Sequence, residues 1–324
     1  MQTHATQSTA YRSISRRSGL SAIALAVVTL IGANNVAAEP PIPSMRPAFP
    51  VPAPLASTDA EAAPQATTYQ ATLLWNFNGT TNGDLVYSGL VQGSDGNFYG
   101  TTESGGGYGY GEVYKLTPSG GLTILDSFTL NNGGYPAAGL IQGSNGNFYG
   151  TTEGGGSGAD GTVFMVTPSG DLGTLVMFDG SNGANPAGSL IQASDGNFYG
   201  TTQNGGSGGD GTVFRLTPSG ILTSIVTFTD GPIAGSGAAL IEGNDGAFYG
   251  TTERGGDYNA GAVFRLTPAG RLATIYSFDY ATGAYPLGTL IQDSDGNFYG
   301  TTNFGGSTDY GTVFKLAIVV APAQ

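Results

Sequence analysis

Hydrophobic and polar positions recur in the same order every 50 residues along most of this 324-residue chain. The clearest mark is the phrase Asn-Phe-Tyr-Gly-Thr-Thr at 97–102, which returns at 147–152, 197–202, 247–252 and 297–302 with one change, Ala247 for Asn. A fixed period of about 20–50 residues is the signature of a solenoid or a propeller. The repeat therefore predicts the architecture before any local feature does.

Each repeat holds four short apolar runs separated by turn residues. In the first full copy these runs cover 89–92, 97–103, 111–117 and 122–128. Asp-Gly before the second run favours a tight hairpin, and Thr-Pro-Ser-Gly between the third and fourth favours another turn. A longer, glycine-rich loop at 104–110 joins the second and third runs. The pattern predicts a four-stranded antiparallel meander, which is the unit of a β-propeller blade.

The two ends of the repeat region complement each other. The last copy stops after its third run, 311–317, while residues 70–77 match a fourth run, with Phe77 in the place of Phe128. Pairing the two would complete a fifth blade and hide two strand edges. We therefore predict an all-β protein, a five-bladed β-propeller of 50-residue four-stranded repeats whose ring is closed by the N-terminal strand.

The chain outside the repeats predicts export. Residues 1–38 resemble a secretory signal peptide, with Arg16 and Arg17 before an apolar run at 20–31 and small residues at 36–38. That run is shorter than the roughly 20 residues of a membrane span, so we expect no stable membrane insertion after cleavage. Residues 39–68 contain eight prolines and predict a disordered linker. The propeller is assigned to 69–317 and a C-terminal tail to 318–324. We expect a secreted or periplasmic protein, with cell-surface association and twin-arginine export as alternatives.

Charge and residue usage exclude several function classes. The net charge of −13 argues against a nucleic-acid partner, because phosphate binding needs clustered Lys and Arg. The chain has no cysteine, and its only histidine, His4, lies in the predicted signal peptide. Thiol chemistry and Ser-His-Asp triads are therefore excluded from the mature chain. We expect a protein without catalytic activity, cofactor or metal.

The long motif of each repeat resembles a known family. Asp-Gly-Asn-Phe-Tyr-Gly-Thr-Thr, then Gly-Gly, then Gly-Thr-Val-Phe-Lys/Arg-Leu-Thr-Pro-Ser-Gly resembles the GloVer-type tandem repeat of bacterial secreted proteins over about 69–317. The resemblance implies export, often with retention at the cell surface by a variable C-terminal sorting signal, and implies no catalytic activity or ligand. Residues 317–324 contain no sorting motif, so we expect release or periplasmic retention instead of covalent attachment.

The variable loops are the predicted binding surface. In a propeller, the loops between second and third strands and the connections between blades open onto one face, and the two tight turns open onto the other. Tyrosine and short polar residues are concentrated in the variable loops, a mixture that suits hydroxyl-rich ligands such as glycans and also protein recognition. The candidate ligand-binding residues are Tyr108, Tyr110, Tyr135, Asp160, Asp210, Tyr258, Tyr285 and Tyr310.

Three alternatives to a glycan-binding module remain at this stage. The protein could be a scaffold with a protein partner and no small ligand. It could be a glycoside hydrolase, but the inner-strand ends at 92, 142, 192, 242 and 292 supply only one acid, Glu242, and hydrolysis needs two carboxyl groups in different environments. Glu103, Glu153 and Glu253 end second strands, but they are nearly equivalent in the repeat, so none of them is assigned a distinct role as acid or base. Asp95 and its copies could bind calcium, but one Asp per turn falls short of the 6–8 oxygen ligands required.

Overall fold

The structure is a computed structural model that describes residues 70–229 and 238–317. The chain divides into two units, Met1–Thr68 and Tyr69–Gln324, and only the second contains described residues. The predicted signal peptide, linker and C-terminal tail therefore lie outside the described residues. No described segment forms a helix with the length and hydropathy of a membrane span.

Nineteen strands and no helix make up the described residues, and they form five antiparallel sheets in chain order. The first blade consists of β1 (Val91–Gln92), β2 (Phe98–Thr102), β3 (Glu112–Leu116) and β4 (Leu122–Ser127). The second consists of β5 (Ile141–Gln142), β6 (Phe148–Thr152), β7 (Thr162–Val166) and β8 (Leu172–Met177). The third consists of β9 (Ile191–Gln192), β10 (Phe198–Thr202), β11 (Thr212–Leu216) and β12 (Leu222–Thr227). The fourth consists of β13 (Ile241–Glu242), β14 (Phe248–Thr252), β15 (Ala262–Leu266) and β16 (Leu272–Ser277), and the fifth of β17 (Ile291–Gln292), β18 (Phe298–Thr302) and β19 (Thr312–Leu316).

The blades are the predicted four-stranded meanders. In the first blade Gln92 pairs with Phe98, Phe98 also pairs with Leu116, and Leu116 pairs with Leu122, so each strand is hydrogen-bonded to the next. The strands form where β-branched and aromatic residues alternate with small ones, and they end at Gly and Pro turns. The innermost strand is two residues long, shorter than the predicted 89–92. The five-bladed β-propeller predicted from the sequence is confirmed.

Aromatic side chains from adjacent blades pack against each other and form the core between the sheets. A tyrosine of one second strand stacks on the phenylalanine one period later, with ring centroids about 4 Å apart. These pairs are Tyr99–Phe148 at 3.8 Å, Tyr149–Phe198 at 4.1 Å, Tyr199–Phe248 at 4.1 Å and Tyr249–Phe298 at 4.2 Å. Such pairs contribute roughly 0.5–1.5 kcal/mol each beyond the area they bury. The repeated Phe-Tyr pair therefore has a structural role between neighbouring blades.

The glycine of the repeated phrase is required by a close approach. A Cβ on Gly150 would lie 2.6 Å from Cζ of Phe164 and 2.9 Å from Cδ2 of Leu140. The same clash would occur at Gly200, Gly250 and Gly300. The aromatic ring of the third strand therefore occupies the space that a side chain would need.

A side chain at the end of the innermost strand connects neighbouring blades at positions 142, 192, 242 and 292. Oε1 of Gln142 accepts the N–H of Ser94 from the preceding blade at 2.9 Å, while its Nε2 donates to the carbonyl of Gly146 in its own hairpin at 2.9 Å. Gln192 repeats both bonds one blade later. Glu242, the one acid in the series, accepts from both the N–H and the hydroxyl of Ser194. These side chains therefore join neighbouring blades by hydrogen bonds on the face of the tight turns.

The predicted closure of the ring is only half formed. Phe77 lies against Tyr114 of the first blade at 5.1 Å, as Phe128 lies against Phe164 at 5.0 Å. Residues 70–77 are not a strand, however, and among the described residues no strand pairing joins them to β19. Val313 of β19 is consequently 81% exposed, whereas Val113, Val163, Val213 and Val263 are fully buried. Within the described part of the chain the fifth blade therefore has three strands, and the predicted pairing of 70–77 with its third strand is not formed.

Candidate functional site

The variable loops and the blade connections meet on one face, which we call the loop face. Gly134 in the connection before the second blade and Gly154 in that blade's loop exchange two backbone hydrogen bonds, at 2.9 and 3.0 Å. Ala184 and Asn204 form the same ladder one blade later, and Ala284 and Phe304 form it at the fifth blade. Each connection is thereby fastened to the loop of the blade that it enters.

Two predicted site residues have a backbone role in this fastening. Tyr135 and Tyr285 both have left-handed conformations, with φ of 62° and 54°. The N–H of Tyr285 donates to the carbonyl of Ala260 at 2.8 Å, and its carbonyl accepts the N–H of Asn303 at 3.2 Å. Asn185 has the same conformation at the equivalent position. A positive φ is unfavourable for a large side chain, so these tyrosines are held in place by the hydrogen bonds on both sides.

The eight predicted residues are distributed around the loop face and do not form one site. Tyr108 and Tyr258, within their loops, are each 63% exposed, and Tyr310, at the end of its loop, is 90% exposed. Tyr110 is half-buried and packs edge-to-face on Tyr135 with the ring centroids 5.7 Å apart. Asp160 and Asp210 are half-buried at the ends of their loops.

A crevice of about 330 Å³ lies on the loop face between the fourth and fifth blades. Tyr285 and Phe304 form an aromatic corner, with ring planes at 89° and centroids 5.9 Å apart. Arg254 and Glu253 line it from the fourth blade, and Asn303 from the fifth; Asn259 and Leu287 complete the lining. The hydroxyl of Tyr285 is 2.6 Å from the hydroxyl of Tyr280. Of the lining residues, sequence reasoning identified only Tyr285.

The missed residues carry a signal in the sequence, because they depart from the repeat. Arg254 and Phe304 occupy a position that holds Ser104, Gly154 and Asn204 in the first three blades. Asn259 replaces Gly109, Ala159 and Gly209, and Leu287 replaces Ala137 and Ala187. Longer side chains at constant backbone positions therefore line this crevice.

A second cavity, of about 610 Å³, is lined by residues from all five blades just before their innermost strands. Its lining is mostly glycine, alanine and serine, with Tyr87 as its one ionisable side chain. It is held together by bonds such as that from the Thr201 hydroxyl to the carbonyl of Ala238 in the next blade, at 3.1 Å. Backbone and small side chains therefore dominate the axial cavity.

A third cavity, of about 610 Å³, lies on the face of the tight turns beside Ile275, Phe298 and Leu316. At the other junctions a turn covers this position; Gly170, for example, lies over the backbone of Leu125. The residues after Ala317 lie outside the described part of the chain. The turn-face cavity therefore lies beside Ile275, at the position that a turn glycine covers at Leu125, Leu175 and Ile225.

Two carboxyl groups at the ends of second strands have perturbed acidity. Burial raises the pKa of Glu103, and burial together with the charge of Glu103 raises the pKa of Glu153. The two groups thus influence each other across adjacent blades, which their equivalence in the repeat did not predict. Perturbed carboxyl groups are candidates for acid–base chemistry, although burial alone also produces them.

The turn aspartates are engaged within their own hairpins. Asp95 accepts the N–H of Asn97 at 3.1 Å, its Nδ2 at 2.8 Å and the hydroxyl of Tyr99 at 2.8 Å. The hydrogen bonds from Asn97 are the main reason that the pKa of Asp95 is lowered. In the part of the chain that the structure describes, no three acidic or histidine side chains are grouped as metal ligands would be. Turn geometry accounts for these aspartates.

Comparison with known proteins gives the family. The Gloeobacter/Verrucomicrobia repeat model matches residues 62–238 and 191–321. No curated protein matches the chain. Similar solved structures include virginiamycin B lyase from Staphylococcus aureus, with 18% identity over 72% of this chain and 70% of that one and a TM-score of 0.48. A streptogramin B lyase has 20% identity over 72% and 68% at 0.46, and a gluconolactonase from Xanthomonas campestris has 13% over 67% and 68% at 0.44.

The family match and the repeat agree with each other. The two matched regions together run from residue 62 to residue 321, which includes all nineteen strands. The repeated phrase with its buried aromatic pair and its close-packed glycine is the framework of all five blades. The chain therefore belongs to the Gloeobacter/Verrucomicrobia repeat family, as the GloVer resemblance predicted.

Proposed function

We propose that the protein is an exported, non-enzymatic binding module that recognises carbohydrate or a cell-surface polymer through its loop face. The observation that carries the proposal is the set of exposed loop tyrosines, Tyr108, Tyr258 and Tyr310. A tyrosine ring offers a flat apolar surface and a hydroxyl at low entropic cost, which suits a ligand with alternating C–H and O–H groups. Repeated blades would present several such contacts, so avidity could compensate for weak single contacts.

The axial cavity supports binding over catalysis. Catalysis by glycosidases uses paired carboxyl groups beside the scissile bond, and the described residues that line the axial cavity include no carboxyl group. The expected specificity is therefore set by shape and hydrogen bonding on the loop face.

The test is binding of the purified protein to a panel of glycans and bacterial polysaccharides, with and without calcium. Replacing Tyr108, Tyr258 and Tyr310 together by alanine should abolish binding. The matched control is Ile221→Ala, which removes an exposed apolar side chain of similar accessibility from a tight turn. Unchanged binding by the triple variant, or no binding by the parent to any glycan, would refute the proposal and favour a scaffold with a protein partner.

Hydrolysis is the second candidate function, and one observation favours it: the raised pKa of Glu153 beside Glu103. We expect no release of reducing sugar from any polysaccharide of the panel. Turnover that disappears in both Glu103→Gln and Glu153→Gln would replace the binding proposal by a hydrolase.

A further inference from the structure

The described junctions at Tyr135, Asn185 and Tyr285 share one backbone, so each serves as a control for the others. The crevice between the fourth and fifth blades is lined by side chains that the first three blades lack, namely Arg254, Phe304 and Asn259. The backbone beneath is unchanged: the hydrogen bonds at Tyr285 are those at Tyr135 and Asn185. The substitutions therefore modify the surface of this junction and leave its framework intact.

We propose that this crevice binds a single uncharged saccharide ring, at one site per chain, an inference that rests on the proposed function of the loop face. The aromatic corner is the first reason. Tyr285 and Phe304 meet at 89°, so one ring can lie under the C–H face of a sugar while the other contacts its edge. Phe304 is about half exposed, so its apolar face is available to a ligand.

The polar lining provides donors and acceptors for hydroxyl groups. Arg254 and the side-chain amides of Asn259 and Asn303 donate, and Glu253 and the amide oxygens accept. Arg254 forms no ion pair within the described residues, so its guanidinium is available to a ligand. A convergent set of polar groups beside an aromatic wall is the composition of small-ligand sites.

Charge and size select the ligand class. The crevice holds one cation, Arg254, and one anion, Glu253, so its lining has no net charge, and the chain as a whole carries −13. An anionic sugar would be repelled by the protein field, whereas a neutral hydroxylated ring would not. A volume of about 330 Å³ is at the lower end of the range of roughly 300–1,000 Å³ for ligand pockets. The crevice therefore fits one ring and leaves the rest of a chain outside.

The experiment uses substitutions that the repeat itself supplies. Phe304→Gly introduces the residue of Gly154, and Tyr285→Asn introduces the residue of Asn185, which has the same left-handed backbone with φ of 53°. Both variants should keep the thermal stability of the parent. The matched controls are Asn204→Gly and Ser104→Gly, which introduce glycine at the equivalent loop position of two other blades.

Binding of neutral monosaccharides to the full protein is measured by titration with NMR detection of the Phe and Tyr ring resonances. The parent should bind with a stoichiometry of one, and each crevice variant should bind at least about tenfold more weakly, as expected for loss of one aromatic contact. The two controls should bind as the parent does. Crevice variants within twofold of the parent, or a stoichiometry above one, would overturn the single site.

The two proposals fail differently. If the parent binds polysaccharide through Tyr108, Tyr258 and Tyr310 while the crevice variants bind as well as the parent, the crevice inference is wrong and the loop-face function stands. If the parent binds no saccharide in either assay, both are wrong.

Discussion

Glu112 is the framework residue whose replacement should most clearly change stability. It is 2% exposed, its Oε1 accepts the hydroxyl of Ser127 at 2.9 Å, and its Oε2 has no hydrogen-bond partner among the described residues. The second, third and fifth blades have threonine here, and each forms a hydroxyl pair with the last residue of the second strand. These pairs are Thr152–Thr162 at 2.8 Å, Thr202–Thr212 at 3.0 Å and Thr302–Thr312 at 2.8 Å. The first blade is therefore less well satisfied than its copies.

Glu112→Thr combined with Ser127→Thr would copy the pair Thr212 and Thr227 of the third blade. Removing a buried unsatisfied carboxylate oxygen should relieve about 1–3 kcal/mol, and the new hydroxyl pair with Thr102 should add about 1 kcal/mol. Thr102 already accepts the backbone N–H of Glu112 through Oγ1, so it needs no new rotamer. The double variant should gain about 2–4 kcal/mol in the free energy of unfolding. Glu112→Thr alone should gain less, because Ser127 loses its acceptor and a small cavity costs roughly 1 kcal/mol.

The assay is urea unfolding followed by circular dichroism, with thermal unfolding beside it. For a domain of this size about 1 kcal/mol moves Tm by 2–4 °C, so the double variant should melt about 5–15 °C higher. Thr162→Glu in the second blade is the reciprocal control and should lower Tm. A double variant no more stable than the parent would mean that a ligand or ordered water satisfies the Glu112 carboxylate, and our account of this site would be wrong.

Three further predictions concern the inter-blade contact of Glu242, the buried tyrosine Tyr199 and residues 70–77. Glu242→Gln should keep the contact with Ser194 and raise the free energy of unfolding by about 0.5–1.5 kcal/mol through a donor to its own hairpin, whereas Glu242→Ala should lower it, both measured by urea unfolding. Burial and the hydrogen bond to Asp195 raise the pKa of Tyr199 to about 12; since this folded value exceeds the ordinary 10, the stability from Tyr199 is complete below pH 10 and lost between pH 10 and 12. The free energy of unfolding measured across this pH range, beside a titration of tyrosinate absorbance, should show the loss of stability. Tyr199→Phe should make that loss smaller. Deleting 70–77 removes the packing of Phe77 on Tyr114 and should cause aggregation in light scattering, while deleting eight residues of the predicted linker should not. A soluble deletion variant as stable as the parent would show that 70–77 do not protect the first blade.

The strands could be predicted because each local signal occurs five times. The sequence predicted 122–128 for the fourth strand of the first blade, and the structure has Leu122–Ser127; for the second it predicted 97–103 and the structure has Phe98–Thr102. Gly and Pro turns set those boundaries locally, so no tertiary information was needed. The innermost strand was predicted too long, because only its last two residues pair with the second strand. The carbonyl just before it instead accepts a threonine hydroxyl of the preceding blade, as Ala238 does from Thr201.

The candidate site could be predicted only to the level of a face. Tyr110 was predicted as a binding residue because the loops are rich in tyrosine. It is half-buried against Tyr135, because a ring at that position packs on the neighbouring blade connection. Phe304 was overlooked, because a single aromatic residue in a glycine-rich loop has no periodic signal. The inter-blade role of Gln142 depends on a contact 48 residues away in sequence, which no local pattern reveals.

Departures from the repeat are where the structure and the function can be separated by experiment. Glu112 and Phe304 both replace residues that other blades have at the same backbone position. Glu112 is buried with an unsatisfied oxygen, so returning it to the repeat residue should raise stability. Phe304 is exposed at a crevice, so returning it to glycine should leave stability unchanged and remove binding. Restoring the residue of another blade should therefore change stability at a buried position and binding at an exposed one. A departure from the repeat whose restoration changes neither stability nor binding would have no role that this fold can account for.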